Sequence, residues 1–161
     1  MLKGQSQVVQ GSLAELPFHQ GLFERGLCLG NGLSHLHRQQ LKAFVAHWSR
    51  ISKPNAKLLV QMVNWDLWLS TKKEFPLFKR GDWALLRSYS GGVHRVRFGV
   101  QVRHKGNVLY KDFQFLYPIK KEELKKLFLE FEFRLTSEWQ DFQKKSLLDQ
   151  SPAWLLEFTK H

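Results

Sequence analysis

The sequence predicts an α/β domain, an open sheet flanked by helices, with an antiparallel β insertion. Three observations carry that reading. A short apolar strand, Gly26-Leu27-Cys28-Leu29, opens into a polar tip, Gly30-Asn31-Gly32, and a helix follows. Beyond the helix, residues 57–63 (KLLVQMV) are a second apolar run of strand length. Residues 83–117 then change texture, and residues 95–103 show a period of two, the spacing of pleated strands.

Residues 6–10 (SQVVQ) are expected to form a short β-branched strand ending at Gly11. Residues 13–18 (LAELPF) make a connector broken by Pro17. Residues 38–52 are the clearest helix. Leu41, Phe44, Val45, Trp48 and Ile51 fall on one apolar stripe, so Trp48 belongs to the core and is not a ligand platform. Lys53-Pro54-Asn55-Ala56 ends the helix, and Asn55 tolerates the left-handed backbone such a turn needs. Residues 57–63 are mostly apolar on both sides of a strand, which predicts one covered on both faces.

Three antiparallel strands are expected at residues 83–89, 93–103 and 108–117. Val96, Phe98, Val100 and Val102 alternate there with Arg95, Arg97, Gln101 and Arg103. Ser90-Gly91-Gly92 and Lys105-Gly106-Asn107 supply the turns. Residues 120–131 read as a second amphipathic helix with Leu124, Leu127, Phe128 and Phe131 as its stripe.

A chain of 161 residues is one domain by size. Lys and Arg total 25 against 14 Asp and Glu, a formal net charge of +11. That charge would attract nucleic acid or an anionic ligand. It reads instead as dispersed over solvated faces, because much of it is interleaved with acids, as in Lys120-Lys121-Glu122-Glu123. The lone cysteine, Cys28, excludes an intrachain disulfide and sits in an apolar strand, where an inert thiol is expected. No apolar run reaches the length of a membrane span, and the N-terminus lacks the apolar core of a signal peptide. A cytoplasmic location is the default, with no membrane partner.

Residues 28–36, Cys-Leu-Gly-Asn-Gly-Leu-Ser-His-Leu, resemble the fourth strand and its exit in class I S-adenosylmethionine-dependent methyltransferases. The resemblance is to the glycine N-methyltransferase-like group, whose pattern has Ser where Gly32 stands here. Residues 6–18 resemble that family's segment after the third strand, and Lys53-Pro54-Asn55-Ala56 its Lys-Pro-Gly-Gly turn. Residues 133–139 and 153–159 resemble its terminal antiparallel pair, and residues 70–118 its antiparallel lid. The implied fold is a Rossmann-like class I methyltransferase sheet, partial and lacking the first strands, with that insertion, residues 1–161 forming one partial domain. The family's Asp-x-Gly-x-Gly-x-Gly cofactor loop does not occur among the 161 residues. The one Gly-x-Gly, residues 30–32, lacks the third glycine and the ribose-binding acid of a dinucleotide fingerprint.

The resemblance implies S-adenosylmethionine as cofactor, bound weakly or not at all by this chain alone. It places Ser12 and Leu13 beside the adenine, Leu29 on the adenosyl pocket and His35 near the cofactor. Asn31 would face the methyl group and the acceptor, with a strand-end cap as the alternative. His35 has the alternative of a helix-start residue bonded to backbone. Asn64-Trp65-Asp66 matches the family's Asn-Tyr-Asp, implying a substrate role for Asn64 and Asp66, with a cap as the alternative for Asp66. Glycine N-methyltransferases carry an Arg just before that motif to hold the substrate carboxylate; Val63 stands there, which counts against glycine as acceptor. Methyl transfer needs no catalytic triad or metal, because the sulfonium is already a good leaving group. No His-Glu-x-x-His spacing occurs, and His35 and His37 are poorly placed to share a metal.

Three functions follow in order. First is the C-terminal part of a small-molecule methyltransferase acting at nitrogen or oxygen. Second is a non-catalytic regulatory subunit on the same scaffold. Last is a basic nucleic-acid-binding module, which requires exposed aromatics beside Lys and Arg, whereas the aromatics here fall mostly on core stripes. The family's strand order is 3-2-1-4-5-7-6, so the Cys28 strand lacks its neighbour. The gap can be closed by residues 6–10, by a second copy of the chain, or by a complementing N-terminal chain, since an open apolar edge is a template for pairing.

Overall fold

The computed structural model describes residues 8–71 and 75–161. In chain order the elements are β1 (Phe23–Cys28), a 3-10 turn (Gly32–His35), α1 (Arg38–Ile51), β2 (Ser52–Val63) and α2 (Trp65–Thr71). There follow β3 (Phe75–Arg80), β4 (Trp83–Gly91), β5 (Val96–His104), β6 (Asn107–Leu116), α3 (Lys121–Leu129), β7 (Phe133–Trp139) and β8 (Ala153–Lys160).

The stripe on α1 is buried as its period requires, including Trp48. His37 starts this helix with a capping box: its Nδ1 accepts from the Gln40 amide at 3.4 Å, and Gln40 Oε1 accepts from the His37 amide at 3.2 Å. β1 and β2 pair in parallel, Leu27 opposite Leu59 and Cys28 opposite Val60. β2 then pairs antiparallel with β8, and β8 with β7, giving the order β1-β2-β8-β7. This is the order the resemblance predicts for the family's strands four, five, seven and six.

α1 and α3 contribute to one core together with Cys28, Leu58, Val60, Met62, Trp154, Leu156 and Phe158. Burial along β2 alternates from Ala56 to Val63, so only one face of that strand is fully covered. The predicted two-sided cover is therefore corrected. On the other face Leu27 is 71% exposed and Leu29 42% exposed. An apolar run shaped for two layers has received one.

The β2 strand also begins earlier than expected. Residues 53–56 lie within it as a bulge, since Phe23 pairs with Ser52 but Arg25 with Lys57. Asn55 takes the left-handed backbone there, with φ 61°. The predicted strand at residues 6–10 is not found where it can be seen. Residues 6 and 7 lie outside the described residues, and residues 8–10 have no strand structure, Val8 being 93% exposed.

The insertion is a four-stranded antiparallel sheet, β3-β4-β5-β6, with one strand more than predicted. It packs Val96, Leu116, Tyr89 and Phe98 against Trp65, Trp68 and Leu69 of α2. α2 itself was not predicted; Asn64 starts it, its Oδ1 accepting from the Leu67 amide at 3.4 Å. No helix among the described residues is long and apolar enough to cross a membrane.

Cys28 is buried, and burial pushes its thiol up from 9.0 to about 11, partly offset by a hydrogen bond with the Leu33 backbone. In the unfolded chain the thiol loses its proton at lower pH than in the fold. The stability it supports is therefore full below about pH 9 and is lost as pH rises through 11, a change of about 2 kcal/mol by pH 11. Wild-type chain should lose that much more stability than Cys28→Ala across this window, measured by urea midpoints.

Candidate functional site

Parallel pairing brings the carboxyl ends of β1 and β2 together, and the residues there are tied by side-chain hydrogen bonds. Gly30 and Asn31 both adopt left-handed backbone, with φ 68° and 64°. Glycine and asparagine reach that region at least cost. The Gly30 amide donates to Gln61 Oε1 at 2.9 Å, and the Asn31 amide to the Gln61 carbonyl at 3.2 Å.

Asn31 Oδ1 then accepts from the Val63 amide at 3.1 Å and from Ser34 Oγ at 2.9 Å. Ser34 Oγ accepts in turn from Trp65 Nε1 at 3.0 Å. The Ser34 carbonyl accepts from the Tyr117 amide at 2.7 Å, which joins the exit of the insertion to the same turn. Ser34 is fully buried and Trp65 2% exposed, so these bonds lie in a low-dielectric setting where a lost partner is costly. The side chain of Asn31 is thus oriented, with its Oδ1 doubly used and its Nδ2 left for a further acceptor. Gly32 leaves room for Cys28, whose Sγ would lie 3.1 Å from a Cβ at that position.

Leu29 follows β1 at this tip and is 42% exposed. His35 ends the 3-10 turn and is exposed. Ser12 and Leu13 are exposed on a strap whose hydrogen bonds run to α1, through His47 Nδ1 to the Leu16 amide and Arg50 to the Leu16 and Phe18 carbonyls. Those bonds bring neither Ser12 nor Leu13 to the strand tips.

Asn64 is 4% exposed. Its Nδ2 donates to the Asp149 and Ser151 carbonyls at 2.8 and 2.9 Å while its Oδ1 caps α2, so its polar groups are spent on the fold. Asp66 is exposed in the first turn of α2, 3.8 Å from Lys120 Nζ. An acid there favours the positive end of the helix, while the capping bond itself comes from Asn64.

Beside Trp65 a narrow apolar cleft opens between α2 and the insertion, lined by Trp65, Trp68, Leu69, Tyr89 and Val96. The Tyr89 ring lies 5.1 Å from Trp68 and 5.1 Å from Phe98. Burial raises the Tyr89 phenol, with Arg87 opposing the shift, so it stays neutral at physiological pH. Among the described residues no group of three or more His, Cys, Asp or Glu is placed to hold a metal.

Three side chains of this network, Ser34, Gln61 and Trp65, carry no functional signal in the sequence. Ser34 lies inside the quoted motif, yet its bond to Trp65 spans 31 positions and has no local signal.

No family model and no curated protein matches the chain. Solved structures do. The CcbJ methyltransferase of Streptomyces caelestis superposes with a TM-score of 0.83 at 13% identity, over 94% of this chain and 62% of that one. An S-adenosylmethionine-dependent methyltransferase of Clostridium acetobutylicum gives 0.81 at 10% identity, over 97% and 65%. This is a class I methyltransferase fold. An amino pentose methyltransferase of Micromonospora echinaspora, solved with S-adenosylmethionine, gives 0.69 at 13% identity, over 94% and 63%. The chain thus spans 62–65% of the length of these three methyltransferases.

Proposed function

We propose that this chain is the C-terminal part of an S-adenosylmethionine-dependent methyltransferase acting on a small-molecule nitrogen or oxygen. The observation that carries the reading is the ordered tip at Asn31. It stands at the paired carboxyl ends of parallel strands, where open α/β sheets bind ligands. When bound, S-adenosylmethionine supplies an electrophilic methyl group on a good leaving group.

The residues here fit one side of that cofactor. Leu29 offers an exposed apolar surface for a heterocycle, and Asn31 Nδ2 can orient an acceptor atom without titrating. Trp65, Trp68 and Tyr89 wall the neighbouring cleft with apolar surface. The reading assigns the ribose and methionine tail to a glycine-rich segment that these 161 residues do not contain. We place His35, Ser12 and Leu13 on the rim, closing on the cofactor only once that segment is present, and give Asp66 a rim position toward the acceptor. Asn64 acts by holding α2.

Asn31→Asp tests the assignment. Aspartate keeps the oxygen that accepts from Val63 and Ser34 and tolerates the left-handed backbone, but it loses the Nδ2 donor. With a complementing segment present, kcat should fall by about tenfold to a hundredfold while cofactor affinity stays within about twofold, because positioning the acceptor belongs to the transition state. Unchanged kcat would remove Asn31 from the chemistry.

A non-catalytic regulatory subunit is the second reading. The missing glycine loop favours it, and it predicts that complementation restores cofactor binding without turnover.

A further inference from the structure

The chain's positive charge is concentrated on the insertion. Residues 75–116 hold eight Lys and Arg against two Asp, which is +6 of the total +11. The pairing register sorts these residues by face. Ser88 and Phe113 both oppose Gly99, Ser90 and Phe115 oppose Arg97, and Leu86 and Lys111 oppose Gln101. All of them share the face opposite Tyr89 and Phe98, away from α2.

That outer face carries a basin of about 170 Å³ walled by Ser88, Ser90, Arg97, Gln101, Lys111 and Phe113. Gly99 is its floor. A Cβ there would lie 2.6 Å from Ser88 Oγ, so any side chain would fill the depression. A strand-interior glycine of this kind marks a place where a ligand can approach the backbone.

The cations on this face are pre-positioned and unneutralised. The Arg97 guanidinium lies 4.1 Å from the Phe113 ring centre and Arg95 lies 4.3 Å from that of Phe115. Arg103 donates twice to Gln101 Oε1, at 2.9 and 3.2 Å, which leaves the Gln101 amide free to donate. Among the described residues every ion pair of the chain lies outside the insertion. Asp112 is the one acid in residues 83–116, and its carboxylate is held by the Tyr110 hydroxyl at 3.1 Å and the Phe113 amide at 2.7 Å. Near the basin it presents its carbonyl, 3.9 Å from the Gly99 Cβ position.

We propose that this basin binds the phosphate of a phosphomonoester carrying a flat organic group. Arg97 and Lys111 supply charge, Ser88, Ser90 and Gln101 supply neutral donors, and the half-exposed Phe113 and Phe115 rings receive the organic part. Charge argues against a second copy as occupant, because a two-fold interface here would set Arg95, Arg97, Arg103 and Lys111 against themselves. The site lies apart from the strand tips and stands independently of the methyltransferase reading.

Uridine 5′-monophosphate, uridine and inorganic phosphate, each titrated into the chain and followed by backbone NMR, test it. The nucleotide should bind about tenfold tighter than either fragment and shift the amides of residues 88–90, 97–101 and 111–115, since a charged phosphate contact and a stacked ring act together. Arg97→Gln and Lys111→Gln should each weaken it by about tenfold at unchanged melting temperature, and Arg134→Gln, on β7, should have no effect. Shifts elsewhere, or unchanged affinity in both basin variants, would overturn the proposal. So would a twelve-nucleotide RNA that binds where the mononucleotide does not, or a dimer that Arg97→Gln dissociates. These last two would make the face a nucleic-acid surface and a protein interface respectively.

Discussion

Gly26→Ala is expected to destabilise the domain by about 3 kcal/mol, near the upper end for overpacking a core. A Cβ on Gly26 would lie 2.5 Å from Trp48 Cη2 and 2.9 Å from Leu58 Cδ1. Both atoms are side-chain ends, but burial holds them in place. Trp48 is 6% exposed and stacks on Phe23 at 6.1 Å, and Leu58 is 2% exposed. The glycine is there so that the indole can lie across the strand and lock α1 to β1. Removing the outer indole ring should therefore relieve the clash. The cost of Gly26→Ala should fall by at least about 1 kcal/mol in a Trp48→Phe background, the non-additivity expected of residues in contact. Urea midpoints of the two single variants and the double variant measure this. Strict additivity would mean that the packing described here is wrong.

The second large effect concerns the free edge and face of β1. Leu27 is 71% exposed, so Leu27→Lys should change the stability of the chain alone by less than about 0.5 kcal/mol. The account places Leu27 under the missing layer, where a buried lysine would be costly. A strand–loop–helix segment carrying the glycine-rich loop, supplied on the same polypeptide or separately, should slow amide exchange across residues 26–29 by at least about a hundredfold in wild type, as an unpaired edge becomes an interior strand. In Leu27→Lys that protection should be lost. Equal protection in both would place the added segment elsewhere. Free exchange at these amides in a monomer that stays soluble at high concentration would show instead that the open edge is tolerated.

The strand tip and the main sheet were legible in the sequence because their signals are local. The stripe from Leu41 to Ile51 has a helical period, and residues 26–32 move from apolar to small and polar within seven positions. The family order of strands then fixed which edges should meet, and the pairing of Leu27 with Leu59 agrees. What escaped was non-local. β3 has no alternating pattern to announce it and contains Pro76, which is tolerated because β3 lies at the sheet edge, where a missing amide donor costs little.

The charge on the insertion is hidden in the whole-chain pattern because acids near residue 120 balance lysines there. The alternation of Arg95 and Arg97 was visible, but Phe113 and Phe115 join them only through the β5–β6 register. Both-sided cover of β2 was a fair inference from Leu58, Leu59 and Val60. The uncovered face is informative because that sequence expects a second layer.

On the proposed function, the chain carries one side of a cofactor site and a glycine-rich segment completes it. Calorimetry with S-adenosylmethionine, on the chain alone and with that segment, tests this most directly. No binding tighter than about 1 mM is expected for the chain alone, and binding near 1 μM with the segment, the latter about −8 kcal/mol. Micromolar binding by the 161-residue chain alone would contradict it.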